Sequence, residues 1–183
     1  MTQALHPNSR RVAEALAAAG VSGAVQELPV AATTAAQAAA QLGVEIGAIA
    51  NSLIFVAKVT GERASQRSEE RNEPRSRATG VADGDPVLVL TSGAHRVDTD
   101  RVARLLGVST LHRADRDLVR AATGQPIGGV APVGHPRRLR TLVDTALAPH
   151  PVVWAAGGTP HTVFPTSYPE LLRITEGTPA DVA

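Results

Sequence analysis

The sequence predicts a mixed α/β fold in which peripheral helices cover a mixed β-sheet. Two runs, 50–59 and 86–93, carry apolar or β-branched residues on both alternations, which is typical of strands buried on both faces. Helical segments with N-capping residues and terminal glycines lie between the strands at irregular intervals. Because no regular strand–helix repeat is present, a doubly wound parallel sheet is not expected.

The N-terminal part of the chain contributes two helices, one extended segment and the first buried strand. The expected spans are 8–20 and 33–43 for the helices, 24–30 for the extended segment and 50–59 for the strand. The expected N-caps are Asn8 or Ser9 in the first helix and Thr33 or Thr34 in the second, and the helices end at Gly20 and Gly43.

The C-terminal part alternates shorter strands with three further helices. The expected extended segments are 86–93, 108–114, 139–144, 151–158 and 161–166, and the expected helices are 98–107, 115–124 and 167–175. Asp98 is the predicted cap of the first of these helices, with Val102, Leu105 and Leu106 facing inward. Ser167 and Glu170 have the spacing of a capping box at the start of the last helix.

Residues 61–85 differ in composition from the rest of the chain. They consist mainly of Arg, Glu, Ser and Gly and contain almost no apolar residues, so they cannot bury enough surface to offset the entropy of ordering. We therefore expect a flexible, solvated insertion between two strands of a single domain spanning 1–183. Its arginines leave open a second interpretation, an arm that touches RNA.

Composition and charge exclude several classes of function. Aromatic residues make up only 2% of the 183 residues, which argues against a surface on which nucleobases stack. The net charge of +1 means that a nucleic acid would have to be bound locally. The chain has no cysteine, and it shows neither a signal segment nor an apolar run near the ~20 residues of a membrane span. We expect a cytoplasmic protein that does not contact membranes.

The segment 123–140, TGQPIGGVAPVGHPRRLR, is unusual because it combines glycines and prolines with apolar residues. A phosphate-binding loop would require Lys and then Ser or Thr after its last glycine, whereas Gly134 is followed by His135 and Pro136. No helix follows whose N-terminus could face a pyrophosphate. Glycine allows close approach of the backbone and proline limits its flexibility. The segment is therefore interpreted as the wall of a small pocket that recognises a compact group through main-chain contacts.

Two other groups of residues are weaker candidates for a catalytic or metal-binding site. Ser92, His95 and Asp98 contain the residue types of a catalytic triad, but residues spaced by three along a strand-to-helix turn rarely converge, and Asp98 is needed as a cap. We expect a polar loop beside a pocket there. The histidines show no i, i+4 spacing on a helix and no clustered carboxylate, so neither a metal nor a cofactor is expected.

Taken in order, these segments resemble the YbaK-like aminoacyl-tRNA deacylases, the family of prolyl-tRNA synthetase editing domains and their free-standing relatives. The resemblance is carried by IANSLIF, PVLVLTSGAHRVD, ATGQPIGGVAPVGHPRRL, TLVD and VWAAGGTPHTVF, and it spans nearly the whole chain outside 61–85. Gly128 to Pro132 match the Gly-x-x-x-Pro substrate loop of that family. The resemblance implies a largely antiparallel, barrel-like central sheet.

The resemblance also implies a function: trans-editing hydrolysis of the ester that joins a small, wrong amino acid to the terminal adenosine of a tRNA. The expected partners are the acceptor end of an aminoacyl-tRNA and a prolyl-tRNA or other synthetase, with the chain a monomer or homodimer. Its pocket is expected to contain Asn51, Gly128, Gly129 and His161 as catalytic residues. The expected substrate-binding residues are Ser92, Gly93, His95, Val130, Pro132, Gly134, His135, Gly157, Gly158 and Thr159, and the expected tRNA-binding residues are Arg96, Arg137, Arg138 and Arg140.

One departure from the family pattern bears on the activity. Many members carry a lysine at the position of Asn51, and Lys58, seven residues along the strand, faces the opposite side. Asparagine donates and accepts hydrogen bonds but supplies no charge. The alternative function is therefore a non-catalytic tRNA- or nucleotide-binding module that retains the pocket without the lysine-dependent chemistry.

Overall fold

The computed structural model describes residues 5–60 and 81–183, and within them eight strands form one mixed sheet. The strands are β1 (Gln26–Glu27), β2 (Ile49–Lys58), β3 (Pro86–Ser92), β4 (Thr110–Arg113), β5 (Arg140–Asp144), β6 (Val153–Ala156), β7 (Thr162–Thr166) and β8 (Thr178–Ala180). Both runs predicted as buried strands are confirmed, since β2 and β3 pair along seven residues at the middle of the sheet.

Five helices in the described residues surround the sheet, which confirms the predicted fold class. They are α1 (Pro7–Ala18), α2 (Ala35–Leu42), α3 (Thr99–Leu106), α4 (Arg116–Thr123) and α5 (Tyr168–Thr175). The side chains of Thr34, Asp98, Asp115 and Ser167 cap α2 to α5 by accepting hydrogen bonds from backbone amides of the first turn. These caps lower the free energy of helix ends whose N–H groups would otherwise lack partners.

The strand order β1-β7-β6-β2-β3-β5-β8 mixes both pairing directions. Four strand pairs are antiparallel and three are parallel. β4 lies off this order and pairs with the C-terminal half of β2. Side chains alternate between the faces of β2, so Ala50 and Ile54 join one apolar cluster while Phe55 and Ala57 join another.

β2 has one continuous neighbour and one interrupted edge. On one side it pairs with β3 from Ala50 to Val56. On the other side β6 pairs only with Ile49 and Ala50, and β4 pairs only with Phe55 to Lys58. Residues 51–54 therefore belong to neither ladder on that edge, which leaves an opening in the sheet between β6 and β4.

Three local features differ from the sequence-based expectations. The N-cap of α1 is His6, whose ring accepts a hydrogen bond from the Asn8 amide (3.1 Å), so the helix begins one residue earlier than expected. Leu105 is 56% exposed, and Ala103 is buried on the inner face of α3 in its place. Most of the predicted insertion lies outside the described residues, but 81–85 are described and bond to β2 through Gly84 and Asp85.

Candidate active site

A pocket of about 160 Å³ opens where the edge of β2 is unpaired. Residues 49–54 of β2 form its floor, and its walls come from the start of α2, the Gly/Pro segment, β4 and β6. Sites for drug-sized ligands are typically about 300–1,000 Å³, so this one suits a compact group. The remaining lining residues are Ala32, Thr33, Thr34, Ala35, Ala38, Arg113, Ala114, Val119, Ile127, Gly128, Val130, Trp154, Ala155, Ala156, Thr159, Pro160, Thr162 and Val163.

Several polar groups of this pocket have no partner within the described residues. The Asn51 side chain is exposed and makes no hydrogen bond there. The hydroxyl of Ser52 is buried and likewise unsatisfied. Arg113 is exposed, and its guanidinium forms neither an ion pair nor a hydrogen bond there. Unsatisfied buried polar atoms are rare in folded proteins, and they mark places where a ligand or water completes the bonding.

The threonine hydroxyls of the pocket are, by contrast, engaged within the protein. Thr34 accepts the Gln37 amide at 3.2 Å as the cap of α2. Thr159 and Thr162 share a hydrogen bond of 2.9 Å between their hydroxyls, and Ser9 bonds to Thr162 at the same distance. These hydroxyls hold the wall in place and are not free to act as nucleophiles.

The two adjacent glycines of the Gly/Pro segment have different roles. Gly128 lines the pocket with φ +85°, and its amide has no partner among the described residues. Gly129 donates its amide to the Pro126 carbonyl at 3.0 Å, so this N–H is not available to a ligand. A Cβ at Gly129 would lie 2.4 Å from the Thr159 backbone carbon. Gly129 is therefore the point where the segment packs against the β6–β7 turn, and it stands behind the pocket surface.

The second half of the Gly/Pro segment faces a different cavity. Pro132, Gly134 and His135 line a second pocket of about 250 Å³ together with Arg137 and Arg138. His135 bonds through Nε2 to the Ala131 carbonyl at 2.8 Å. Burial lowers the pKa of His135, although this hydrogen bond opposes the effect. Gly128 and Val130 thus line the first pocket, whereas Pro132, Gly134 and His135 line the second.

Ser92, Gly93 and His95 lie at the end of β3, outside the residues that line the first pocket. Asp144, which is fully buried, accepts hydrogen bonds from the Ser92 amide and the His95 ring, both at 3.0 Å. The Ser92 hydroxyl donates to the Gly47 carbonyl at 2.9 Å. Asp98 caps α3, and the amide of Arg101 lowers the pKa of its carboxyl. This cluster joins β3 to β5 and does not bring the three residues of the triad pattern together.

Other predicted residues lie near the pocket without lining it. His161 is exposed, and its backbone amide donates to the Thr159 hydroxyl at 3.3 Å. Gly157 and Gly158 are buried against Val25 and the start of α1, where a Cβ would lie about 3.0 Å from its neighbours. Four of the predicted site residues line the pocket: Asn51, Gly128, Val130 and Thr159.

None of the arginines predicted for tRNA lines the first pocket. Arg137 and Arg138 are exposed at the second pocket, and Arg138 is paired with Glu176. Arg140 is partly buried with an unsatisfied Nε, and Arg96 is exposed beside His95. Sequence reasoning missed Arg113, whose position depends on the pairing of β4 with β2. It also missed Ser52, although Ser52 follows Asn51 directly.

Among the described residues, no group of three or more His, Cys, Asp or Glu side chains is placed to hold a metal ion. The described helices are all too short or too polar to cross a membrane.

A mixed sheet with a small pocket at the unpaired edge of its central strand, in which Arg113 is the one charged lining residue described, is typical of a domain that recognises a compact ligand. Residues 29–174 match the family model of the aminoacyl-tRNA editing domain, and the chain belongs to that family. In a comparison of structures, it resembles a candidate trans-editing enzyme for prolyl tRNA synthetase, with a TM-score of 0.79, 38% identity and coverage of 98% of both chains. It also resembles the hypothetical protein APE2540, with a TM-score of 0.75, 26% identity and coverage of 94% of this chain and 98% of the other.

Among curated proteins, the similar sequences are proline–tRNA ligases. That of Geobacter sulfurreducens is 31% identical over 109 residues, which are 54% of this chain and 19% of the ligase. That of Geobacter metallireducens is 41% identical over 54 residues, which are 30% of this chain and 10% of the ligase. The matched region thus spans a fifth or less of the length of these relatives.

Proposed function

We propose that the chain is a trans-editing hydrolase that removes a small, wrongly attached amino acid from tRNA. The observation that carries this proposal is the set of unpartnered polar groups in the first pocket: the Asn51 amide, the Ser52 hydroxyl, the Gly128 N–H and the Arg113 guanidinium. Membership in the aminoacyl-tRNA editing domain family supplies the class of substrate. The similarity to proline–tRNA ligases favours the tRNA that such ligases charge.

The reaction needs no protein nucleophile. The bond between the acyl carbon and the ribose oxygen breaks, while water gives its hydroxide to the acyl carbon and its proton to the ribose oxygen. An aminoacyl ester is already activated, so holding water and ester together and stabilising the oxyanion can account for the rate. In this proposal the Gly128 N–H and the Asn51 amide donate hydrogen bonds to the oxyanion or to the attacking water.

The pocket is suited to selection by size. Its small side chains include Ala35, Ala155 and Ala156, and Trp154 and Ile127 limit its extent. A small side chain fits such a space, whereas a larger cognate amino acid is excluded, as in other editing sites. We expect alanyl, seryl or cysteinyl esters to be better substrates than prolyl esters, while threonine, which is as large as proline, tests whether size alone decides.

The tRNA itself extends beyond the pocket. We propose that the exposed arginines Arg96, Arg137 and Arg138 contact phosphates near the acceptor end, with Arg140 in a supporting position. Guanidinium groups suit this task because they bind phosphates with two parallel hydrogen bonds. The exposure of Arg96 and Arg137 supports the assignment, since a solvated cation can meet the phosphate backbone without first losing a protein partner, whereas Arg138 would have to exchange Glu176 for a phosphate.

The test is a deacylation assay with tRNA carrying alanine, serine, cysteine, threonine or proline. The wild type is expected to accelerate loss of at least one small amino acid over buffer and to leave the prolyl ester intact. Asn51→Ala should reduce this rate at least about tenfold, which corresponds to about 1.4 kcal/mol of lost transition-state stabilisation. Lys58→Ala, at the far exposed end of the same strand, is the control and should behave like the wild type.

A non-catalytic binding module is the second candidate, and one observation favours it. Among the described lining residues there is no Asp, Glu, His, Lys or Cys that could act as a general base or nucleophile. If no ester were hydrolysed faster than in buffer while aminoacyl-tRNA still bound, the binding module would be correct. If Asn51→Ala hydrolysed as fast as the wild type, Asn51 would have no catalytic role.

A further inference from the structure

Arg113 is the one charged side chain among the described residues that line the first pocket. It is exposed, so it stands at the mouth, where the pocket meets solvent. Its guanidinium has no ion-pair or hydrogen-bond partner in the described part of the chain. A cation in this position is available to a ligand without first breaking a contact within the protein.

The backbone that carries Arg113 is fixed on both sides. Arg113 pairs with Phe55 in the β2–β4 ladder, and the next amide, of Ala114, donates to the Ile54 carbonyl at 3.0 Å. Ile54 itself lies on the floor of the pocket. The sheet therefore determines where the side chain begins, and only its rotamers are free to adjust to a bound group.

The charge of Arg113 determines which end of a substrate it can meet. An aminoacyl ester carries a positively charged α-amino group at one end, and two like charges at about 4 Å repel by roughly 1 kcal/mol even in water. At the other end the terminal adenosine carries a phosphate, which a guanidinium binds through charge-assisted hydrogen bonds. The favourable orientation thus places the amino acid deep in the pocket and the phosphate at the mouth.

We infer that Arg113 positions the substrate by binding the phosphate on the 5′ side of the terminal adenosine. This inference rests on the proposed function, and it assigns the phosphate contact nearest the ester to β4. The arginines at the second pocket line a separate cavity and would contact more distant phosphates.

The experiment uses two non-hydrolysable probes in which alanine is joined to the 3′ carbon of adenosine by an amide. One probe carries a 5′-phosphate and the other ends in a 5′-hydroxyl, and their dissociation constants are measured by calorimetry with the full chain. We expect the wild type to bind the phosphorylated probe about tenfold more tightly. Arg113→Ala should remove this preference without weakening binding of the probe that lacks phosphate, and Arg113→Lys should restore part of it.

Arg116→Ala serves as the matched control because it removes an exposed arginine three residues away, at the start of α4, which does not line the pocket. It should retain the full preference for the phosphorylated probe. Binding of both probes with equal affinity by the wild type, or an unchanged preference in Arg113→Ala, would overturn the role of Arg113 and leave the proposed function standing. If the wild type bound neither probe, the proposed function and the role of Arg113 would both be wrong.

Discussion

The two halves of the Gly/Pro segment make different surfaces from similar residues. Ile127, Gly128 and Val130 line the first pocket, whereas Pro132 to His135 line the second. The first pocket contains polar groups without partners in the described residues, while His135 in the second is already bonded to the Ala131 carbonyl. The first half of the segment therefore faces polar groups that are open to a ligand, whereas the imidazole of the second half is already occupied within the protein.

Gln125 is the residue that holds the two halves together. It is 2% exposed, and its side chain accepts a hydrogen bond from the Ala131 amide at 2.7 Å and donates one to the Val133 carbonyl at 3.2 Å. One buried side-chain amide thus provides hydrogen-bond partners for two main-chain groups of a segment that forms no regular secondary structure.

The largest expected effect comes from removing this link. Gln125→Leu leaves the Ala131 amide and the Val133 carbonyl without partners, and we expect a loss of about 2–4 kcal/mol in the free energy of unfolding. Denaturant titration measures this loss. Gln41→Leu is the matched control, because Gln41 also bonds to the main chain, at the amide and carbonyl of Val30, but in a half-exposed position. A loss in Gln125→Leu no larger than in the control would contradict the role of Gln125.

Alanine at two left-handed glycines, one in each half, separates the halves by function. Gly128 (φ +85°) and Gly134 (φ +81°) both incur about 1–2 kcal/mol of backbone strain as alanine. A Cβ at Gly134 also meets Val12 at 3.2 Å, whereas the nearest atoms to one at Gly128 are those of Thr33 at 3.6 Å. We expect Gly134→Ala to be the less stable variant and Gly128→Ala to lose more of its deacylation rate. Equal losses of rate in folded protein would mean that the halves are not functionally distinct.

The elements of the fold could be predicted from the sequence because their signals are local. Thr34, Asp98 and Ser167 cap helices as expected, since a cap and the amides that it binds lie within one turn. His6 was missed because imidazole is an uncommon cap. The prediction that Leu105 faces inward is wrong. In a helix of about two turns, the pattern of apolar residues does not determine where the buried face ends.

The site was less predictable because it depends on pairings between distant segments. Asn51 and Gly128 were expected at one pocket, and both line it. Arg113 could not be found without the register of β4 on β2. The partner of His95 is Asp144, 49 residues away along the chain, which no local sequence pattern indicates. The Gly/Pro segment divides between two cavities, and the hydrogen bonds from Gln125 to Ala131 and Val133 hold it in that path. No local sequence pattern indicates these bonds.

A smaller effect is expected at the rim of the second pocket. Arg137 is exposed with no ion pair among the described residues, so Arg137→Ala should weaken tRNA binding at low salt. The slope of log affinity against log salt should fall by about 0.7–0.9 if one phosphate contact is lost. Filter binding at several salt concentrations measures the slope, with Arg104→Ala on α3 as the control. An unchanged slope would mean that Arg137, at the rim of this pocket, contacts no phosphate of the tRNA.

The smallest expected effect is a pH dependence confined to the second half of the segment. Burial lowers the pKa of His135 below its ordinary value of 6.5, so the folded protein binds fewer protons at this site than the unfolded chain. The stability gained from neutral His135 is complete above pH 6.5 and is lost as pH falls through the folded pKa. His135→Gln keeps a donor for the Ala131 carbonyl and cannot titrate.

Thermal melts between pH 5 and 8 measure this difference. The melting temperature of the wild type should fall more steeply toward low pH than that of His135→Gln, and the two should run parallel above pH 7. Because every other titrating group is the same in both proteins, the difference between the two curves reports His135. Parallel curves over the whole range would show that the histidine titrates as in the unfolded chain, and the second half of the segment would then be more open to water than its burial indicates.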